Sequence, residues 1–164
     1  MVIIFSGVPR TGKSTTARGL ADQLKKWGKV IILIKEEPSQ VYEGFREIYR
    51  THNYQGLLRL LRENLNKADY IIMDATFYNR EWREMAKEIT GKNNVFTIYL
   101  HCSLKTSLER DKQTELPVGA GGICKINKEM EKPERPNISV DTDQVQPEEA
   151  VAQILEKIKE KEVK

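Results

Sequence analysis

The chain has little from which to build a metal or disulfide framework. It holds two cysteines, Cys102 and Cys124, and two histidines, His52 and His101, in 164 residues. The cysteines are too far apart for a CxxC unit and the histidines fall in unrelated segments, which argues against a structural zinc site and for a reduced protein. No apolar run approaches the ~20 residues of a membrane helix, so no membrane partner is expected. Blocks of one charge sign are missing too: 27 Lys and Arg face 24 Asp and Glu, for a net charge of +3 without a basic arm. An RNA partner therefore gains no support from charge. Internal repeats and low-complexity tracts are absent. The expectation is one soluble, cytoplasmic domain over residues 1–164 without a leader, long enough to bury roughly 70% of its unfolded surface.

What is present is concentrated near the start. Gly7, Val8, Pro9, Arg10, Thr11, Gly12, Lys13 and Ser14 fit the phosphate-loop pattern GxxxxGK[ST], between the apolar run Val2-Ile3-Ile4-Phe5 and a helix-forming stretch. Each part has a physical task. The glycines let backbone N–H groups close around phosphate oxygens, Lys13 spans the β- and γ-phosphates, and Ser14 offers a hydroxyl to Mg²⁺. Thr15 follows at the helix start and completes the set expected to bind ATP.

Strand and helix patterns alternate along the rest, which predicts a three-layer α/β fold with a five-stranded parallel sheet and helices on both faces. Helices are expected over Lys13–Trp27, Val41–Tyr49, Gln55–Leu65, Asn79–Thr90 and Leu104–Lys112, with a last one starting at Pro147. After the opening strand, further strands are expected at Val30–Ile34, Tyr70–Asp74, Val95–Leu100 and Ile138–Asp141. Gln113–Pro136 contains Gly119, Gly121, Gly122 and three prolines and has no clear period. Its part from Gln113 to Lys132 reads as a mobile lid with Arg110 at its hinge.

Side chains just after parallel strands converge on the ligand edge of such a sheet. They are Lys35, Glu36 and Glu37 after the second strand, Asp74 at the end of the third, and Arg110 beyond the fourth. Hydroxyl phosphorylation needs one carboxylate for Mg²⁺ and one to orient and deprotonate the acceptor. Asp74 suits the metal and Glu36 the base, with Glu37 and Asp74 as alternatives for the latter; Arg110 is placed to neutralise the transferring group. Asn66-Lys67-Ala68-Asp69 matches a guanine-recognition pattern, but it ends an amphipathic helix instead of following a strand, so a GTPase is disfavoured.

These residues together resemble the small kinases typified by adenylylsulfate kinase. The likeness includes the phosphate loop, His101 to Asp111, and Pro133 to Asp143 leading into Pro147-Glu148-Glu149-Ala150. It implies transfer of the ATP γ-phosphoryl to a hydroxyl of a nucleotide-like acceptor, adenylylsulfate being the best single guess. The family's Asp-Gly-Asp-Asn-x-Arg motif is replaced here by Ile34-Lys35-Glu36-Glu37-Pro38-Ser39, and its basic lid with a Phe-Thr-Gly-Ile element is missing. A second stretch, Asp74 to Arg83, is similar to the kinase acting on seryl-tRNA and to polynucleotide kinases. That similarity implies acceptor contacts from Tyr78, Asn79 and Arg83, and keeps an RNA-linked or other small hydroxyl acceptor open. The rival class is a non-catalytic nucleotide switch that binds a partner protein.

Overall fold

The computed structural model describes residues 1–35 and 42–163. In chain order the elements are β1 (Val2–Ser6), α1 (Lys13–Leu24), β2 (Val30–Lys35), β3 (Ile48–Thr51), α2 (Tyr54–Asn64), β4 (Tyr70–Asp74), α3 (Arg80–Thr90), β5 (Val95–His101), α4 (Leu104–Lys112), α5 (Ala120–Glu129), β6 (Ile138–Asp141) and α6 (Pro147–Glu162). The strands form one sheet ordered β3-β2-β4-β1-β5-β6, and every neighbouring pair is parallel.

Both faces of the sheet are covered, which is why its central strands read as continuous apolar runs instead of alternating ones. On one face Ile3, Phe5, Ile32, Ile34 and Ile72 pack with Leu20 and Leu24 of α1 and Ile154 and Ile158 of α6. On the other, Val2, Ile4, Ile31, Leu33 and Met73 meet Leu57, Leu58 and Leu61 of α2 and Ala86 of α3. Helix ends follow local chemistry. Asn53 caps α2 by accepting from Gly56 N at 2.7 Å, and α6 opens on Pro147 with Glu148 and Glu149 in its first turn, where negative charge suits the helix dipole.

The fold departs from the sequence reading in two places. The sheet has six strands, not five, because Ile48–Thr51 is a strand paired with β2 where a helix through Tyr49 was expected. β-Branched and aromatic side chains at Ile48, Tyr49 and Thr51 fit a pleated edge, and the pairing satisfies an edge of β2 that would otherwise be open. Within the aperiodic segment, Ala120–Glu129 is a helix. Only Ile123 is buried among its ten residues, and Gly121 and Gly122 are poor helix formers, so no apolar stripe betrays it. Among the described residues, no helix is long and apolar enough to cross a membrane, and no group of three or more His, Cys, Asp or Glu could hold a metal.

Candidate active site

Because all strands are parallel, they end at one edge, and the loop between β1 and α1 sits at the middle of it. The loop's shape is dictated by close approach and by left-handed backbone. A Cβ at Gly7 would lie 2.2 Å from Leu100 O, so only glycine fits. Arg10 (φ +68) and Gly12 (φ +90) adopt the left-handed region, which turns successive N–H groups inward as an anion-binding nest. Gly7 N donates to Thr76 O at 2.9 Å, and Thr11 Oγ1 donates to Val8 O at 3.0 Å. Lys13 is only 7% exposed, and its Nζ donates to Val8 O at 2.8 Å, which holds the ammonium inside the loop.

Beside it, Ser14 Oγ donates to Asp74 Oδ2 at 2.6 Å. Tyr42 OH donates to the same oxygen at 2.7 Å. Asp74 is buried, and the strand register carries it to the loop because β4 is a direct neighbour of β1. Burial, and then the Asp74 charge, push the Tyr42 phenol well above its ordinary value, so it remains a donor across the physiological range. Sequence reasoning missed Tyr42, whose role depends on how the chain returns after β2. Tyr42→Phe should cost about 1.5 kcal/mol, the scale of one hydrogen bond to a charged group. Calorimetry should then record a thermal midpoint about 3–6 °C lower; an unchanged midpoint would mean that the phenol adds nothing there.

The outer side of the loop is fastened by the C-terminal half of the chain. Ser107 Oγ donates to Pro9 O at 2.6 Å. Arg110 donates to Arg10 O at 3.1 Å and, through Nη2, to Thr142 O at 2.8 Å, while Thr142 Oγ1 donates to Thr11 O at 3.0 Å. Arg10 itself reaches outward: its Nε donates to Asp111 Oδ1 at 2.7 Å and its Nη2 to Leu116 O at 2.7 Å. Asp111, 3% exposed, also accepts from Val118 N at 2.9 Å and Gly119 N at 2.8 Å. The phosphate loop is thereby joined to the start of α5.

Above the loop opens a cleft of about 1260 Å³, lined by Lys13, Ser14, Asp74, Tyr78, Arg110 and Thr142 among others. Pro9, Arg10, Gly12 and Thr15 also line it, whereas Gly7, Val8 and Thr11 support the loop from within. Lys125 and Glu129 of α5 form one wall, and Val145, Gln146 and Pro147 form part of the rim. Glu36 and Glu37 fall outside the described residues. Two expected acceptor contacts lie elsewhere. Asn79 is the N-cap of α3, its Oδ1 accepting from Glu81 N at 2.7 Å, and it does not line the cleft. Arg83 is buried one turn into α3, donates to the carbonyls of Phe77 and Glu131, and faces a different cavity. Helix geometry explains both: a capping side chain turns toward its own N–H groups, and a residue one turn on faces the sheet.

A hydroxyl and a carboxylate sharing a short hydrogen bond beside a buried lysine and a nest of N–H groups are suited to nucleotide phosphates, and their hard oxygens fit Mg²⁺. Known proteins agree at the level of fold. The sequence is 27% identical over 166 residues to an adenylyl-sulfate kinase of Bacteroides thetaiotaomicron, covering 96% of this chain and 83% of that one. In structure, the chain superposes on a gluconokinase from Sinorhizobium meliloti with a TM-score of 0.72 at 18% identity, covering 97% of this chain and 91% of the other. It also superposes on Chaetomium thermophilum Kti12 in complex with ADP-AlF3, with a TM-score of 0.70 at 18% identity and 98% of both chains covered. The architecture is the three-layer α/β fold that these structures share, and similarity to the family described as chromatin associated protein KTI12 extends over residues 1–164, the whole chain. The chain belongs to the KTI12 family.

Proposed function

We propose that the protein is an ATP-dependent kinase that transfers the γ-phosphoryl group to a hydroxyl of a nucleotide-like acceptor, with adenylylsulfate as the first acceptor to test. The observation that carries this reading is the Ser14–Asp74 pair, 2.6 Å apart at the floor of a cleft of about 1260 Å³. Such a cleft exceeds the ~300–1,000 Å³ of a single small-ligand site and leaves room for a second substrate. In this reading the loop N–H groups and Lys13 bind the β- and γ-phosphates, and Ser14 and Asp74 would hold Mg²⁺, which would supply positive charge against the phosphate oxygens. Glu36 takes the proton of the acceptor hydroxyl as the hydroxyl oxygen bonds to the γ-phosphorus, the bond to the β–γ bridging oxygen breaks, and ADP leaves. Tyr78, which lines the cleft, orients the acceptor, and Arg110 neutralises the phosphoryl oxygens while it braces the loop.

A nucleotide switch is the second reading, and one observation favours it. Through Arg10 and Asp111 the phosphate loop is tied to the segment entering α5, so nucleotide occupancy has a direct route to residues 113–132. Incubation with γ-labelled ATP and a panel containing adenylylsulfate, nucleosides and tRNA separates the two. Transfer of label to any acceptor, faster than hydrolysis in its absence, supports the kinase. No transfer to any member, together with nucleotide-dependent hydrogen exchange in residues 113–132, favours the switch.

A further inference from the structure

A second cavity, of about 320 Å³, lies between α3, β5 and the segment 131–135 that leads into β6. It backs onto the phosphate cleft without being part of it: Tyr78 lines the cleft, and Glu131, whose N–H donates to Tyr78 O at 2.8 Å, lines this cavity. At its inner end is Arg83, 3% exposed. The guanidinium donates to two neutral carbonyls, those of Phe77 and Glu131, and forms no ion pair among the described residues. Burial pushes it below its ordinary value, with Glu131 and Glu84 only partly offsetting that effect. A buried cation without a carboxylate partner is costly, and it marks a place where a negative charge is missing.

The remaining lining shows how much charge is missing. Five cationic side chains, Arg80, Arg83, Lys87, Lys132 and Arg135, face three acidic ones, Glu84, Glu131 and Glu134. Two of the acids are already used, Glu134 by Arg80 at 2.9 Å and Glu84 by Lys87 at 2.8 Å. The third, Glu131, accepts from the backbone N–H of Arg80 at 2.6 Å. The lining therefore carries a net charge of +2. Arg83 uses two of its five N–H groups on the carbonyls and keeps three at the base, held rigid by those bonds, while Lys132 and Arg135 are exposed at the mouth and make no ion pair among the described residues. A dianion with tetrahedral oxygens meets both conditions, since guanidinium groups pair with phosphate by parallel N–H···O bonds and lysines add point charge. The volume is at the small end of ligand sites, enough for a phosphate with a sugar-sized group attached.

We propose that this cavity is a second anion site, separate from the phosphate loop, that binds the phosphate monoester of a small molecule. The test follows the Arg83 side chain in the full-length protein. With arginine Nε labelled by ¹⁵N, the Arg83 Nε–H resonance is assigned from its loss in Arg83→Lys, and inorganic phosphate and ribose 5-phosphate are titrated with the phosphate loop saturated by ADP. A saturable shift is expected, tighter for ribose 5-phosphate, and it should persist in Lys13→Ala, where the phosphate loop is disabled. In the Lys132→Ala/Arg135→Ala double variant, whose changes are at exposed positions, affinity should fall about tenfold for two lost phosphate-bound charges at the mouth. The thermal midpoint should stay at the parent value. No saturable shift with either ligand, a shift that disappears with Lys13, or an affinity unchanged in the double variant would each overturn the site.

Discussion

Lys13→Ala should leave a folded protein that binds ATP at least about tenfold more weakly and loses about a hundredfold or more in kcat/KM. These are the scales for removing a phosphate-bound charge and a donor aimed at developing negative charge. Lys13 is only 7% exposed, with its ammonium turned into the loop against Val8 O, so the charge is already desolvated and positioned before nucleotide arrives. Phosphate oxygens then take the place of that carbonyl as acceptor. The fold itself should persist, because the loop is fastened independently of Lys13 by Ser107, Arg110 and Thr142. Titration calorimetry with ATP, steady-state turnover and a thermal scan check the three parts. Unchanged binding and turnover in a folded variant would falsify the assignment of the site.

Asp111→Ala is expected to be the most destabilising single change at the site. Its carboxylate accepts from Arg10 Nε, Val118 N and Gly119 N while only 3% exposed. Alanine leaves two N–H groups and a guanidinium without their acceptor, a loss of about 3 kcal/mol. For a chain of this size that corresponds to a thermal midpoint about 6–12 °C lower. The pH dependence has a definite sign. Burial pushes the Asp111 carboxyl up, but Arg10 and the two backbone N–H groups together outweigh it and hold the group below its ordinary value. The stabilisation is therefore complete above the unfolded carboxyl value of about 4 and is lost as pH falls through the lower folded value. Denaturant unfolding should show the gap between parent and Asp111→Ala at neutral pH and see it close in acid. A gap that stays constant down to about pH 2 would exclude the carboxylate as its source.

The parts of the molecule legible from sequence were those determined by short-range pattern. β1, β2 and β4 are apolar up to their last residue and β5 is interrupted only at Thr97 before His101, because both faces of the sheet are covered, and the phosphate loop carries its own glycines and lysine in eight consecutive residues. β3 was misread because four residues at an edge, half-exposed, do not establish a period. α5 was missed because a single buried side chain, Ile123, carries no periodicity at all. In the site, Asp74 was recoverable because it ends a buried strand beside β1. Tyr42, Asp111 and Thr142 were not read as partners of the loop, since what they do is created by tertiary contact: Arg10 and Asp111 are 101 positions apart, and Thr11 and Thr142 are 131 apart. Asn79 and Arg83 were assigned to the acceptor by motif resemblance, and the helix N-cap and its first turn direct them elsewhere.

The clasp that the C-terminal half places on the phosphate loop has a consequence for how the protein comes into being. β1 is made well before both strands that flank it, β4 and β5, and the residues that brace the loop from outside, Ser107, Arg110 and Thr142, follow later still. Each of these contacts spans most of the chain, so closing them is slow in the sense that long-range pairing is slow. A nascent chain stopped before residue 107 carries the complete GxxxxGK[ST] sequence and lacks Ser107, Arg110 and Thr142, the residues that brace it. ATP therefore meets the fully braced loop only after residue 142 has been made, and nucleotide bound during synthesis would favour the chain in which that clasp is closed.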